Sequence, residues 1–470
     1  MRVAGKAGRA VVAAATALLL TAPTVPAWAE PTTIGPAPEP NASQRPPSAQ
    51  PSAIGGPFRN TEGCIASATT ENLPKEPWGQ QQLQIEEAQR FATGKGQKVA
   101  VIDTGVNQHP LFKNPITDLG DYIEGKSAVD SDCDGHGTEV AGIIAAQADP
   151  TGANGFMGVA PDVQLMAIRQ GSSKFQNEAT KAPPGNLDTL ARAVVWAADH
   201  DADVINMSVT ACQPPDKTGG ESDKALRAAI RYAVDVKDVV VVTSAGNTSD
   251  QAQANDTNCV QNDNPDPNVV TKVAVPPWFS DDVLAVAAMA KDGTPANFTV
   301  WGPWVNIAAP GTEIVSVNPA PGSTGLANAN IEGSQQRPIE GTSFASPYVA
   351  GVAALVRERF PELNARQVME RLKATAKHPG NPEGRDKKVG YGMVNPIAAL
   401  TAVLPAEQSS FQSADPKPIL NPAVPPPAKD WTPMIVALGG TGAGVTLLLL
   451  TLFIVHTVNR TRNRRARANT

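Results

Sequence analysis

Asp103-Thr-Gly, His136-Gly-Thr and Gly-Thr-Ser343 place three residue types that cooperate in acyl transfer on three Gly/Thr-flanked turns, in the order Asp, His, Ser. A serine hydroxyl is a poor nucleophile until a neutral imidazole takes its proton, and the imidazole needs a carboxylate to set its tautomer and stabilise the cation. One such tripeptide arises by chance in a long chain. Three in this order read as one constellation, with Asp103 orienting, His136 acting as base and then acid, and Ser343 attacking.

Each residue also has a plainer explanation. Ser343 opens the run Phe344-Ala-Ser-Pro-Tyr-Val-Ala-Gly, whose periodicity predicts a helix with Pro347 in its first turns. A hydroxyl there meets backbone N–H groups and the positive end of the helix dipole, which favour an oxyanion, but an ordinary helix N-cap would look the same. His136 likewise opens a predicted helix, a context that His109, His200, His378 and His456 lack. Asp103 ends the apolar run Val99–Ile102, and Gly105 permits a sharp turn after it. Asn247, after Val240-Val-Val-Thr-Ser-Ala-Gly246, supplies an amide that could donate to an oxyanion, or simply a turn former.

These residues need a rigid frame. Short apolar runs at 98–102, 163–168, 203–206, 239–242, 283–286 and 305–308 alternate with helical patterns at 80–91, 136–147, 187–200, 222–236, 342–358 and 364–375. Continuous apolar strands separated by helices predict an α/β fold, a parallel sheet covered on both faces. Asp103 and Asn206 then stand at strand C-termini, where open α/β sheets hold their ligands.

The ends of the 470-residue chain differ from its middle. Arg2, Lys6 and Arg9 precede an apolar run to Leu20 and the small residues around Ala29, which reads as a signal peptide over 1–29. The run is shorter than the roughly 20 residues of a span, which argues against an uncleaved anchor. Residues 30–75 are Pro-rich and poor in large apolar groups, an extension unable to fold alone. A globular domain over 76–404 and a Pro-rich linker over 405–432 follow.

Residues 433–458 predict a transmembrane helix, with Trp431 at the interface and a basic tail over 459–470. The positive-inside bias puts that tail in the cytoplasm and the domain on the extracytoplasmic face of a single-pass cytoplasmic-membrane protein. Gly440 and Gly444 within the span form a small-xxx-small pair.

Cys64, Cys133, Cys212 and Cys259 all fall in the exported portion, where two disulfides are expected. Of three connectivities, Cys64 with Cys133 and Cys212 with Cys259 is favoured, because Cys64 could then tether the N-terminal segment near His136. No C-x-x-C spacing suggests a metal site. Asp130-Ser-Asp132-Cys-Asp134-Gly135 begins like a calcium loop, but Ala141 occupies the twelfth position where a bidentate carboxylate is required. The acidic cluster is therefore expected to be a solvated loop or a cleft wall. No metal and no cofactor are expected, and a net charge of −6 argues against nucleic acid as a partner.

The Asp103, His136 and Ser343 motifs, with Val204-Ile-Asn-Met-Ser208 and Ser244-Ala-Gly-Asn247, resemble the subtilisin-type serine proteases over about residues 80 to 400. The resemblance implies a mainly parallel seven-stranded sheet flanked by helices, and Asn247 with the Ser343 amide as the oxyanion hole. Val209-Thr210-Ala211-Cys212 departs from the glycines usual after the Asn-Met-Ser segment, which leaves specificity open. The N-terminal extension is shorter than the folded inhibitory pro-domain of many relatives, so a self-inhibited zymogen is not expected. The whole layout resembles the mycosins of type VII secretion systems, membrane-anchored subtilases that process secreted substrates. That resemblance implies protein substrates and a type VII secretion membrane complex as partner. It leaves two alternatives, a mainly structural part of that complex or a general cell-surface protease.

Overall fold

The computed structural model describes residues 31–68, 73–149, 152, 154–248, 259–332, 335–407 and 445–460. The expected signal peptide lies outside these residues. The chain divides into two units, Met1–Glu407 and Gln408–Thr470.

In the first unit a sheet of seven strands is built from β1 (Lys98–Asp103), β2 (Thr117–Asp121), β3 (Gln164–Arg169), β4 (Val204–Met207), β5 (Val240–Ser244), β6 (Leu284–Met289) and β7 (Ile307–Pro310). Their order is β7-β6-β5-β4-β1-β3-β2, and every pairing is parallel. Six strands coincide with the apolar runs, because a strand buried on both faces must be apolar at consecutive positions. The seventh escaped the reading of apolar runs. Its sequence, Thr-Asp-Leu-Gly-Asp, is that of a half-exposed edge strand, and its register with β3 shifts between Asp118 and Asp121.

Helices α1 (His136–Ala145), α2 (Leu187–Asp199), α3 (Glu221–Arg231), α4 (Thr342–Arg359) and α5 (Ala365–Ala374) match five of the expected patterns. The sixth, over 80–91, is broken in two at Gln84, whose φ of 55° ends one helix at Leu83 and starts another at Ile85. The 222–236 pattern also changes character, continuing past α3 as a π turn over Tyr232–Val236. Both α1 and the first four turns of α4 are buried on every side, so they are core helices rather than amphipathic ones.

Residues 31–68 lie along this unit as separate short pairings. Thr32–Thr33 pairs with Val269–Val270, Phe58–Asn60 with Phe175–Asn177, and Ala66–Ala68 with Ala329–Ile331. Between them, Arg227 donates to the Ala37 and Pro38 carbonyls and Arg231 pairs with Glu39. Cys64 is bonded to Cys133 and Cys212 to Cys259.

In the second unit residues 445–460 are helical, and apolar side chains including Leu447, Leu450 and Phe453 are exposed. No helix among the described residues is long and apolar enough to cross a membrane. Residues 433–444 of the expected span lie outside the described ones.

Candidate active site

Asp103 ends β1, and the chain turns through Gly105 at φ 108°. The N-terminus of α1 docks directly on that turn. A Cβ on Gly137 would stand 2.1 Å from the Gly105 carbonyl oxygen and 3.1 Å from Asp103 Cβ, so glycine is what lets helix and turn meet. Thr104 locks the joint, accepting from the Gly137 amide at 3.0 Å and donating to Asp132 at 2.8 Å. His136 Nδ1 then donates to Asp103 Oδ1 at 2.6 Å, with both side chains buried. That bond leaves Nε2 as the acceptor nitrogen. Nε2 is buried and, among the described residues, has no hydrogen-bond partner.

Ser343 is the second residue of α4 and lines the same cleft as His136. Pro347 lacks the N–H that would bond the Ser343 carbonyl four residues back. That carbonyl instead accepts from Ser208 Oγ at 2.8 Å, and Ser208 in turn accepts from Asn206 Nδ2 at 2.9 Å. The sequence "Asn-Met-Ser" at the end of β4 thus steadies the residue after which α4 begins its turn. Asn247 enters from the other side. Its Oδ1 accepts from the Thr342 amide at 2.9 Å and the Thr342 hydroxyl at 3.0 Å, which directs the NH₂ group elsewhere.

All four expected site residues, Asp103, His136, Ser343 and Asn247, border one cleft of about 300 Å³. Gln170–Ser173 and Pro184–Leu187 form one wall, and Ser208–Ala211 with Val275 the other. Among the described residues, none of 31–68 lines it. Thr210, in the stretch that departs from the resemblance, lines the cleft and donates to the Ser244 carbonyl at 2.9 Å.

Of the two readings the sequence allows for the acidic loop before His136, Asp134 meets the second by lining the cleft, while Asp130 alone of its three aspartates is exposed. Asp132 and Asp134 are each 6% exposed, and Asp132 spends its carboxylate on the Gly135 and Thr138 amides and the Thr138 hydroxyl. It does for α1 what an N-cap does, since Gly135 has no side chain to offer. Burial pushes its carboxyl up to about 6, opposed by those hydrogen bonds.

Glu139, one turn into α1, was not singled out in the sequence. Burial pushes its carboxyl up to about 8 despite nearby His136 and bonds from Asn330 and Ser67, and among the described residues Oε2 has no partner. For His136 burial acts downward, but the Asp103 charge and hydrogen bond, with Glu139 and Asp132, outweigh it and hold the imidazole above its ordinary value.

The Subtilase family profile matches residues 94–392. Mycosin-1 of Mycolicibacterium smegmatis is 39% identical over 419 residues, covering 82% of this chain and 87% of the relative. Among solved structures, the protease MycP3 from the type VII (ESX-3) secretion system is 41% identical with a TM-score of 0.70, over 78% of this chain and 99% of that one. A chain of the intact ESX-5 inner membrane complex is 35% identical with a TM-score of 0.72, over 90% of this chain and 100% of that one.

Proposed function

The chain belongs to the subtilase family and within it to the mycosins, and we propose that it is a membrane-tethered serine endopeptidase working beside a type VII secretion complex. The observation that carries the chemistry is the His136 to Asp103 bond at 2.6 Å, with Nε2 unpartnered in the cleft that Ser343 and Asn247 also line.

In this reading Asp103 holds His136 in the tautomer whose Nε2 accepts a proton. Ser343 Oγ attacks the scissile carbonyl as its proton passes to Nε2, and the new oxyanion is met by Asn247 Nδ2 and the Ser343 amide at the start of α4. His136 then gives the proton to the leaving amine, and water repeats the sequence on the acyl-enzyme.

The tether is the 433–458 segment, supported by the exposed apolar helix at 445–460 and the arginines after it. With the 1–29 leader, it would leave the 76–404 protease domain outside the membrane, joined by the 405–432 linker and preceded by the 30–75 extension. The likeness to a chain of the ESX-5 inner membrane complex favours a second, compatible role as a structural part of such an assembly.

Two measurements test these readings. A fluorophosphonate should add to Ser343 of the wild type, read by peptide mass, and His136→Ala should abolish most labelling; equal labelling of that variant contradicts the assigned base. For the structural role, secretion that survives Ser343→Ala but stops on gene deletion separates assembly from chemistry.

A further inference from the structure

Gln170–Ser173 leaves the end of β3 and runs along the cleft without belonging to any strand ladder. Its first two amides return to the Asp103 carbonyl, at 2.8 Å from Gln170 and 3.4 Å from Gly171. Between these bonds and the next backbone anchor, the Thr61 amide on the Lys174 carbonyl at 3.0 Å, Ser172 and Ser173 make no backbone–backbone bond among the described residues. An extended peptide laid in the cleft needs a backbone edge in a fixed position, because it binds largely through main-chain hydrogen bonds. With the Gly171 and Ser173 amides committed, this edge offers the Ser172 amide and its carbonyl oxygens.

One side chain does the holding. Asp134 is buried, lines the cleft two residues before His136, and accepts from the Ser172 hydroxyl, the Ser173 amide at 2.7 Å and the Ser173 hydroxyl at 2.5 Å. Ser172 Oγ also accepts from the Lys174 amide at 3.1 Å, so the tie extends over three residues. Consecutive side chains of an extended strand point to opposite faces. That both serines reach one carboxylate means the segment is bent around it, and a bend at 173–174 is what the backbone shows. Both oxygens of Asp134 are occupied by these donors. Its neighbour Cys133 is bonded to Cys64, and the Cys133 carbonyl accepts from the Ile65 amide at 2.9 Å, so the loop bearing this carboxylate is itself anchored to the N-terminal extension.

We infer that Asp134 is a positioning residue for the peptide substrate: it fixes the Gly171–Ser173 edge on which residues N-terminal to the scissile bond pair. The inference rests on the protease reading above. It assigns the N-terminal extension a part in substrate binding, exerted through Cys64, Cys133 and Asp134 without entering the cleft.

The test compares two covalent inhibitors with one warhead, N-acetyl-alanyl and N-acetyl-tetra-alanyl diphenyl phosphonate, on the full chain in detergent, with second-order modification of Ser343 read by mass. The short reagent reports on the triad; the ratio of long to short reports on the edge. The wild type should favour the long reagent, and Asp134→Ala should cut that advantage about tenfold, a displacement of an ångström at a reacting site being worth up to about a hundredfold. Asp134→Asn, which keeps an acceptor for the Ser173 amide, should recover part of it. Ser172→Ala with Ser173→Ala removes the two hydroxyl bonds to Asp134, leaving that of the Ser173 amide, without touching the His136 loop; it should lower the advantage less than Asp134→Ala does, and decides the matter should Asp134→Ala not fold. An advantage that survives in the serine double variant overturns the inference, as does a parallel fall of both rates, which would place the effect on His136. A wild type that reacts with a peptide-free fluorophosphonate yet shows no length advantage overturns the inference alone. A folded wild type inert to all three reagents overturns the protease reading, and the inference with it.

Discussion

Thr342 grips the Asn247 carbonyl oxygen twice, through its amide at 2.9 Å and its hydroxyl at 3.0 Å. The residue before the nucleophile therefore orients the amide on the opposite wall, and Asn247 can present only nitrogen to the cleft. Asn247→Ala should lower kcat by roughly 10²–10³ with little change in KM, since the lost bond forms to the oxyanion rather than to bound substrate. Thr342→Val, which removes one of the two grips, should lose less. Steady-state kinetics on a peptide substrate check both, and a loss confined to KM would contradict the role.

Gly137 lies where α1 meets the turn after β1. Gly137→Ala would force a methyl to within 2.1 Å of the Gly105 carbonyl oxygen, a backbone atom that cannot swing aside. The expected cost is about 3 kcal/mol of stability, at the upper end for overpacking. Because the displaced parts carry Asp103 and His136, activity per folded molecule should fall as well. Urea denaturation and active-site titration measure the two separately.

The pH profile should carry the mark of Glu139. His136 must be neutral to act as base, and its pKa is raised, so activity should rise with pH at a midpoint above that of a free imidazole. Glu139→Gln removes a charge that favours the imidazolium and should move this limb to lower pH. Stability moves too. The folded-state carboxyl of Glu139, at about 8, binds its proton more tightly than the unfolded one, so stability is lost as pH rises from the unfolded value of about 4.3 through 8. Glu139→Gln should flatten that decline, seen as a smaller drop in Tm between pH 6 and pH 9. An unchanged drop would show that Glu139 does not ionise in that window.

The bond from Cys64 to Cys133 closes a loop with a sequence separation of 69. Chain-entropy arguments assign such a closure about 4 kcal/mol. Replacing both cysteines by serine should lower Tm by several degrees and speed proteolysis within 31–68, whose remaining holds are noncovalent, among them short pairings, the Arg227 bonds to the Ala37 and Pro38 carbonyls and the ion pair of Glu39 with Arg231. Limited proteolysis followed by mass spectrometry reads the site of cutting.

How much of this was open to a reader of the chain follows from the range of each interaction. Six of the seven sheet strands show as apolar runs, because burial on both faces leaves a continuous local signature; β2 has none, being polar and at the edge. The helix break at Gln84 and the burial of Asp132 and Asp134 were equally hidden. A carboxylate enters the interior only when backbone amides from folded neighbours receive it, and no local pattern announces those amides.

The residue types, their flanking glycines and threonines, and their order along the chain already specified the chemistry, since Asp103, His136 and Ser343 need particular turns and those turns need particular residues. Folding alone settled which nitrogen of His136 is free, which atom of Asn247 faces the cleft, that Pro347 releases the Ser343 carbonyl to Ser208, and that Asp134 ties down the edge beyond β3. Each of these is a contact between residues far apart in sequence, and its outcome depends on distances of a few tenths of an ångström that only the packed sheet and helices establish.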